Sequence, residues 1–160
     1  MVAIRGDDYA IGILMSAAHT AWTIARCSTL RLDLRYTPTT IFMSFPWPDR
    51  APEPEQAIGS AAAALIAHRD ELCLDREIGL TTLYNQLEEG AHQKLRDLHR
   101  DLNRAVVDAY DWPRRAAEDE DELIRLLLER NLAISRGEVL YSPFPPSDAD
   151  EHGAQTQLGA

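Results

Sequence analysis

The alternation of apolar and polar positions predicts a mainly α chain. A first helix, capped by Asp7 or Asp8 and running to about residue 26, places Tyr9, Ile13, Ala17 and either Thr20 or Ala21 at helical spacing, with Leu14, Ala18 and Trp22 beside them. Apolar residues nearly encircle it, so burial on more than one side is expected. His19 sits on it alone and reads as a core or edge histidine. Residues 28–36 alternate loosely through Leu30, Leu32 and Leu34 and read as a strand or an extended arm. A long helix over 53 to about 78 carries Ile58, Ala61, Leu65, His68 and Leu72 on one face, with Gly79 as its left-handed cap. Residues 80–87 form a short helix with Leu83, Tyr84 and Leu87 inward, stopped near Gly90. Residues 91–110 give the clearest stripe, Leu95, Leu98, Leu102, Ala105, Val106, Ala109 and Tyr110, opposite a charged face. The last helix opens on the acids at 118–122, where the helix dipole favours them, buries Leu123, Ile124, Leu127, Leu128 and Ile134, and ends at Gly137. Residues 138–144 are expected to form a short strand, and the polar tail beyond Pro145 to be disordered.

Between the first helix and the others lies the stretch 34–48. Thr37 before Pro38 is a helix-start signal, and Pro46 and Pro48 keep that helix short. Ile41, Phe42, Phe45 and Trp47 load this corner with more apolar area than one turn can bury alone, so it must dock into a larger core. The chain therefore divides into residues 1–48, a proline-rich linker at 49–55, an antiparallel helical bundle at 56–137, and a short extended segment with a flexible tail at 138–160.

Charge separates the same parts. The net charge is −10, yet the first 50 residues carry five arginines against four aspartates, while the remainder carries 11 basic against 22 acidic side chains. An acidic body repels phosphate, so any contact with DNA is expected to come from the first 50 residues, with help from a partner polypeptide. Arg31 and Arg35 are the best phosphate candidates there. No apolar run reaches the roughly 18 residues of a membrane span, the start lacks signal-peptide features, and two cysteines make no disulfide framework. A reducing cytoplasm is the expected compartment.

The motifs of catalysis are missing. The eight glycines are scattered and form no phosphate-binding loop, and neither a Gly-x-Ser-x-Gly elbow nor a His-Glu-x-x-His pair occurs. Lys94 is the only lysine and no acid stands two positions before it, which excludes a nuclease motif of the Asp…Glu-x-Lys kind. His92 and His99 lie about 10 Å apart along one helix, too far for one metal, and read as solvated surface histidines. Ser142-Pro143-Phe144-Pro145-Pro146 only superficially matches the Asn-Pro-Pro-Tyr loop of amino-methyltransferases. No catalytic, cofactor-binding or metal-binding residue is assigned.

Three blocks in order carry a resemblance: Leu-Arg-Tyr-Thr-Pro-Thr-Thr-Ile-Phe…Phe-Pro-Trp-Pro at 34–48, Gly-Leu-Thr-Thr-Leu-Tyr-Asn at 79–85, and the helix at 95–112 that ends in Tyr-Asp-Trp. From about Tyr9 to Tyr141 the chain resembles the C-terminal region of MmeI-like type II restriction-modification DNA methyltransferases. The resemblance implies that residues 1–48 are the distal part of a target-recognition domain and that the bundle is the family's C-terminal helical domain. It implies adenine-N6 methylation with S-adenosylmethionine by the full-length enzymes, DNA as partner, and an upstream methyltransferase polypeptide or subunit that this chain lacks. The expectation is a C-terminal fragment, inactive alone, whose Arg31, Arg35, Tyr36, Thr37 and Thr39 hold the DNA backbone. The family's glycine before Trp112 is replaced by Asp111, a change in how that helix exits. The alternative is a free-standing helical protein–protein interaction module with no DNA-modifying role, distinguished by whether the apolar face of the first helix is covered.

Overall fold

The computed structural model describes residues 8–26, 28–30, 33–35, 41–139 and 141, with side chains outside the two short strands. The order is α1 (Asp8–Met15), α2 (Ala17–Arg26), β1 (Ser28–Leu30), β2 (Asp33–Arg35), α3 (Pro52–Asp75), α4 (Leu80–Glu88), α5 (Gln93–Ala109), a 3-10 turn (Arg114–Glu118) and α6 (Glu120–Ser135). The expected mainly α architecture is observed. Helix α5 lies antiparallel to α3, with residues 53–57 facing 101–114 and residues 64–71 facing 94–98. Ile58 and Leu65 of α3 and Leu95, Leu102 and Val106 of α5 are fully buried.

The first helix is two helices. Ser16 breaks it: its hydroxyl donates to the Ile13 carbonyl at 2.7 Å and its amide bonds the same oxygen at 3.1 Å. The Ala17 amide at the break donates instead to Asn103 Oδ1 of α5 at 2.8 Å. A helix start leaves amides without intrahelical partners, and here a side chain 86 residues away satisfies one. Burial on several sides holds as expected, since Tyr9, Ala10, Gly12, Ile13, Ala18, His19, Ala21 and Trp22 are all buried. Helix α1 crosses α3 closely at Gly12, where a Cβ would stand 2.7 Å from Ile58 Cγ2 and 3.1 Å from Ala62 Cβ.

Residues 28–30 and 33–35 pair as a two-stranded antiparallel hairpin rather than one strand, in the register Ser28↔Arg35, Thr29↔Leu34 and Leu30↔Asp33. Period-two alternation is the same in one strand or two, so it does not mark where a chain reverses. The helix-start signal at Thr37-Pro38 lies outside the described residues. Residues 41–44 make a turn, and Ile41, Phe45 and Trp47 are buried as the corner requires.

The proline-rich stretch runs directly into a helix. Residues 52–55 are the first turn of α3, where Pro52 and Pro54 remove only amides that have no intrahelical partner. Arg50 makes a two-pronged pair with Glu55, at 2.9 and 2.6 Å, and its guanidinium lies 5.0 Å from the Tyr9 ring centroid. Residues on both sides of this stretch share one apolar core.

Helices α3 to α6 end alike. In each, the third residue past the helix bonds back to a carbonyl in its last turn: Ile78 to Cys73, Ala91 to Gln86, Trp112 to Val107 and Glu138 to Ala133. The left-handed position just before it is Glu77, Gly90, Asp111 and Gly137 respectively. Glu77, not Gly79, therefore caps α3; Gly79 has φ −80 and precedes α4. Asp111, at φ 57, is the left-handed residue at the exit of α5. At the start of α6, Asp119 Oδ1 accepts from the Glu122 amide at 3.0 Å, so the acidic run supplies both cap and first turn. Glu138, Val139 and Tyr141 are not in a strand, contrary to the expectation for 138–144; the other residues of that segment and the tail lie outside the described residues. The backbone at Glu138 is taken up in closing α6, which leaves it no extended partner to pair with.

Two outcomes follow from this packing. Asp111→Gly relieves a left-handed side chain and is expected to stabilise the chain by up to about 1 kcal/mol, read from the urea midpoint. Tyr110→Phe keeps the ring but removes the hydroxyl that donates to the buried Pro46 carbonyl at 2.9 Å, so a loss of about 1–3 kcal/mol is expected in the same measurement.

Candidate nucleic-acid interface

One of the candidate phosphate contacts falls on the hairpin. Of the five residues that the sequence offers, Arg35 is placed on β2, paired with Ser28. Arg31, Tyr36, Thr37 and Thr39 lie outside the described residues, as does the side chain of Arg35. What holds the hairpin is described at both ends. Helix α2 delivers β1 after a single intervening residue. Trp22 of α2 is fully buried and its indole Nε1–H donates to the Ile41 carbonyl at 3.2 Å, tying the helix before the hairpin to the turn after it.

The chain leaving the hairpin is fixed by its carbonyls. Ser44 accepts from Asn131 Nδ2 at 2.8 Å, Phe45 from the Tyr141 hydroxyl at 2.7 Å, Pro46 from Tyr110 and Trp47 from Arg130 Nε at 3.2 Å. Arg130 also pairs with Asp49 at 2.9 Å and lies over the Tyr110 ring, 5.5 Å from its centroid. Phe45 is enclosed by His19, Trp22 and Trp47, each edge-on, with centroids 5.1, 6.3 and 5.4 Å away. Burial raises the Tyr110 hydroxyl pKa well above its ordinary value, so it remains a donor.

Arg26 is a residue that motif reading passes over. It is exposed in the last turn of α2, its guanidinium 5.0 Å from the Trp22 ring centroid. The sequence signal for it is an absence: no aspartate or glutamate occurs from residue 9 to residue 32.

A groove of about 630 Å³ lies elsewhere, between the α1–α2 break, α4, α5 and the start of α6. Tyr84 and His99 meet in it, the hydroxyl 3.0 Å from Nε2, beside Asn103 and Arg69. Burial lowers the His99 pKa, helped by the Arg69 charge, and raises that of Tyr84. Glu118, Asp119 and Glu120 rim the groove, so it does not suit phosphate. The two histidines expected to be solvated are instead half-buried and bonded, His99 to Tyr84 and His92 Nε2 to Gln86 Oε1 at 2.8 Å. Both partners stand on α4, and the periodicity of α5 alone does not display a neighbouring helix. Among the described residues no group of three His, Cys, Asp or Glu side chains could hold a metal ion, and no helix is long and apolar enough to cross a membrane.

His19 is buried as expected, and burial lowers its pKa from 6.5 to about 4. The folded state thus holds it neutral where the unfolded chain protonates. Its contribution is present in full above about pH 6.5 and is lost as pH falls towards 4. Between pH 7 and 4 the urea midpoint of the unsubstituted chain should fall more steeply than that of His19→Gln; equal slopes would exclude the histidine as the source.

No family model matches the chain. It is 28% identical over 128 residues to DNA methyltransferase A of Bacillus subtilis (strain 168), a match covering 80% of this chain and 14% of that protein. A solved structure of the type IIL restriction-modification enzyme MmeI, in complex with DNA, superposes with a TM-score of 0.72 at 23% identity, over 82% of this chain and 17% of the other. The chain therefore spans about one-seventh of the relative's length. Both matches meet the resemblance carried by the three sequence blocks: the chain has the fold of a segment of MmeI and is similar in sequence to a DNA methyltransferase.

Proposed function

We propose that this chain is the distal recognition and C-terminal helical part of a DNA methyltransferase of a restriction-modification system. It supports DNA engagement, while methyl transfer to adenine and S-adenosylmethionine binding belong to a methyltransferase part outside these 160 residues. The carrying observation is the match over 82% of the chain to a segment of an enzyme held in complex with DNA. In this reading α2 and the 41–48 corner brace a small basic hairpin, and Arg31, Arg35, Tyr36, Thr37 and Thr39 hold the DNA backbone. The acidic bundle faces away from the DNA and rests on the methyltransferase polypeptide. The compartment is the cytoplasm, where the DNA is.

A second reading is favoured by one observation. The apolar face of the first helix is not left open: α3 packs on α1 and α6 on α2. A covered face suits a free-standing helical interaction module, with no role in modifying DNA.

Binding of a labelled DNA duplex by the 160-residue chain, followed over a range of salt, separates the two. Weak, strongly salt-dependent binding is expected, and Arg31→Ala with Arg35→Ala should lower the slope of log affinity against log salt by about 2. Unchanged affinity and slope would remove both arginines from the contact. No binding even at low salt would turn the choice to the interaction module.

A further inference from the structure

Most arginines in this acidic chain are occupied. Among the described residues, Arg50, Arg69, Arg100, Arg104, Arg114, Arg115, Arg125 and Arg130 each have a carboxylate within 4.0 Å. Arg96 donates to the Leu87 carbonyl. Arg76 and Arg136 have no such partner among the described residues, but they follow α3 and α6 in acidic surroundings, between Asp75 and Glu77 and two residues before Glu138. Arg26 differs from all of these. It has no carboxylate partner among the described residues, and the acid-free run from 9 to 32 surrounds it.

Its placement is also constrained. The ring beneath it belongs to a fully buried tryptophan whose indole is bonded to the Ile41 carbonyl, so the platform does not move independently of the corner. A guanidinium stacked on a fixed ring gives up less side-chain freedom when its fork of N–H groups meets an anion. Two residues further along, the chain enters β1.

We propose that Arg26 is a phosphate-binding residue at the root of the hairpin, acting as a further backbone-positioning contact to DNA. The inference rests on the DNA reading above and adds a residue to it. The bland role for this cation is to complement the negative end of α2, as basic residues in a last helical turn do. That role affects the stability of the chain and leaves its salt-dependent affinity alone. A phosphate contact does the reverse, because neutralising one phosphate releases bound counterions.

The test is duplex binding by the whole chain against salt for Arg26→Gln, Arg26→Lys and, as a control, Arg76→Gln, with thermal melting of each. Arg26→Gln should weaken binding several-fold at low salt and lower the slope by about 0.9. Arg26→Lys, which keeps the charge, should restore the slope, and Arg76→Gln should match the unsubstituted chain. If the unsubstituted chain binds and Arg26→Gln changes only the melting temperature, Arg26 is a helix-end cation and the inference fails while the DNA reading stands. If Arg76→Gln lowers the slope equally, the effect is net charge and the inference also fails. If the unsubstituted chain does not bind the duplex, the DNA reading falls and this contact falls with it.

Discussion

An irregular stretch of backbone buried in a helical protein must find partners for carbonyls that no helix or sheet satisfies. Residues 41–48 set that problem, and the rest of the molecule is arranged to meet it. Five of its carbonyls are met by five side chains from different places: Trp22 of α2 at Ile41, Asn131 and Arg130 of α6 at Ser44 and Trp47, Tyr110 at the end of α5 at Pro46, and Tyr141 at Phe45. Each of those donors is useful only if its own segment is in register with the corner. The corner thus sets the relative placement of α2, α5 and α6 more tightly than apolar contact alone, because apolar contact tolerates sliding and a hydrogen bond does not.

The same economy explains the break in the first helix. A continuous helix over residues 8–26 would be straight, and α1 must approach α3 at Gly12 while α2 must bring Trp22 to Ile41. Ser16 turns the chain between these two requirements, and Asn103 of α5 takes the amide that the turn leaves over. The hairpin therefore starts from a helix whose direction is fixed by α3, α5 and the corner together.

Much of this is legible in residue order. Helix faces come from spacing: Ile58, Leu65, Leu83, Leu95, Leu102, Val106, Leu123 and Leu127 are buried where periodicity puts them. The demand that Ile41, Phe45 and Trp47 dock is also legible, because aromatic area between prolines has no other resting place. The break at Ser16 is not, since serine is tolerated in helices and the partner of the freed amide is 86 residues away. Nor is the cap at Glu77, because propensity points to the nearby glycine while the hydrogen bonds of the last turn choose the position. The surroundings of His92 and His99 escape the sequence for a related reason: whether His99 is solvated depends on its contact with Tyr84 of α4, a fact of tertiary packing. The candidate site is read from charge, which locates a surface but not its geometry, and residue order does not say which charges are already paired.

On the DNA reading proposed above, that pairing bears on how an acidic protein meets a polyanion. Net charge alone would forbid it, yet a field is set by charges near the contact and is screened within about 8 Å at physiological salt. In the bundle most arginines are neutralised by adjacent carboxylates, so it presents mixed charge that neither attracts nor grips a phosphate. The acid-free run from 9 to 32 includes Arg26, which has no carboxylate partner among the described residues, and α2 carries that run out to the hairpin. On the DNA reading proposed above, the acidic body gives orientation: the end of the molecule that α2 leads to is the one that meets a phosphate backbone.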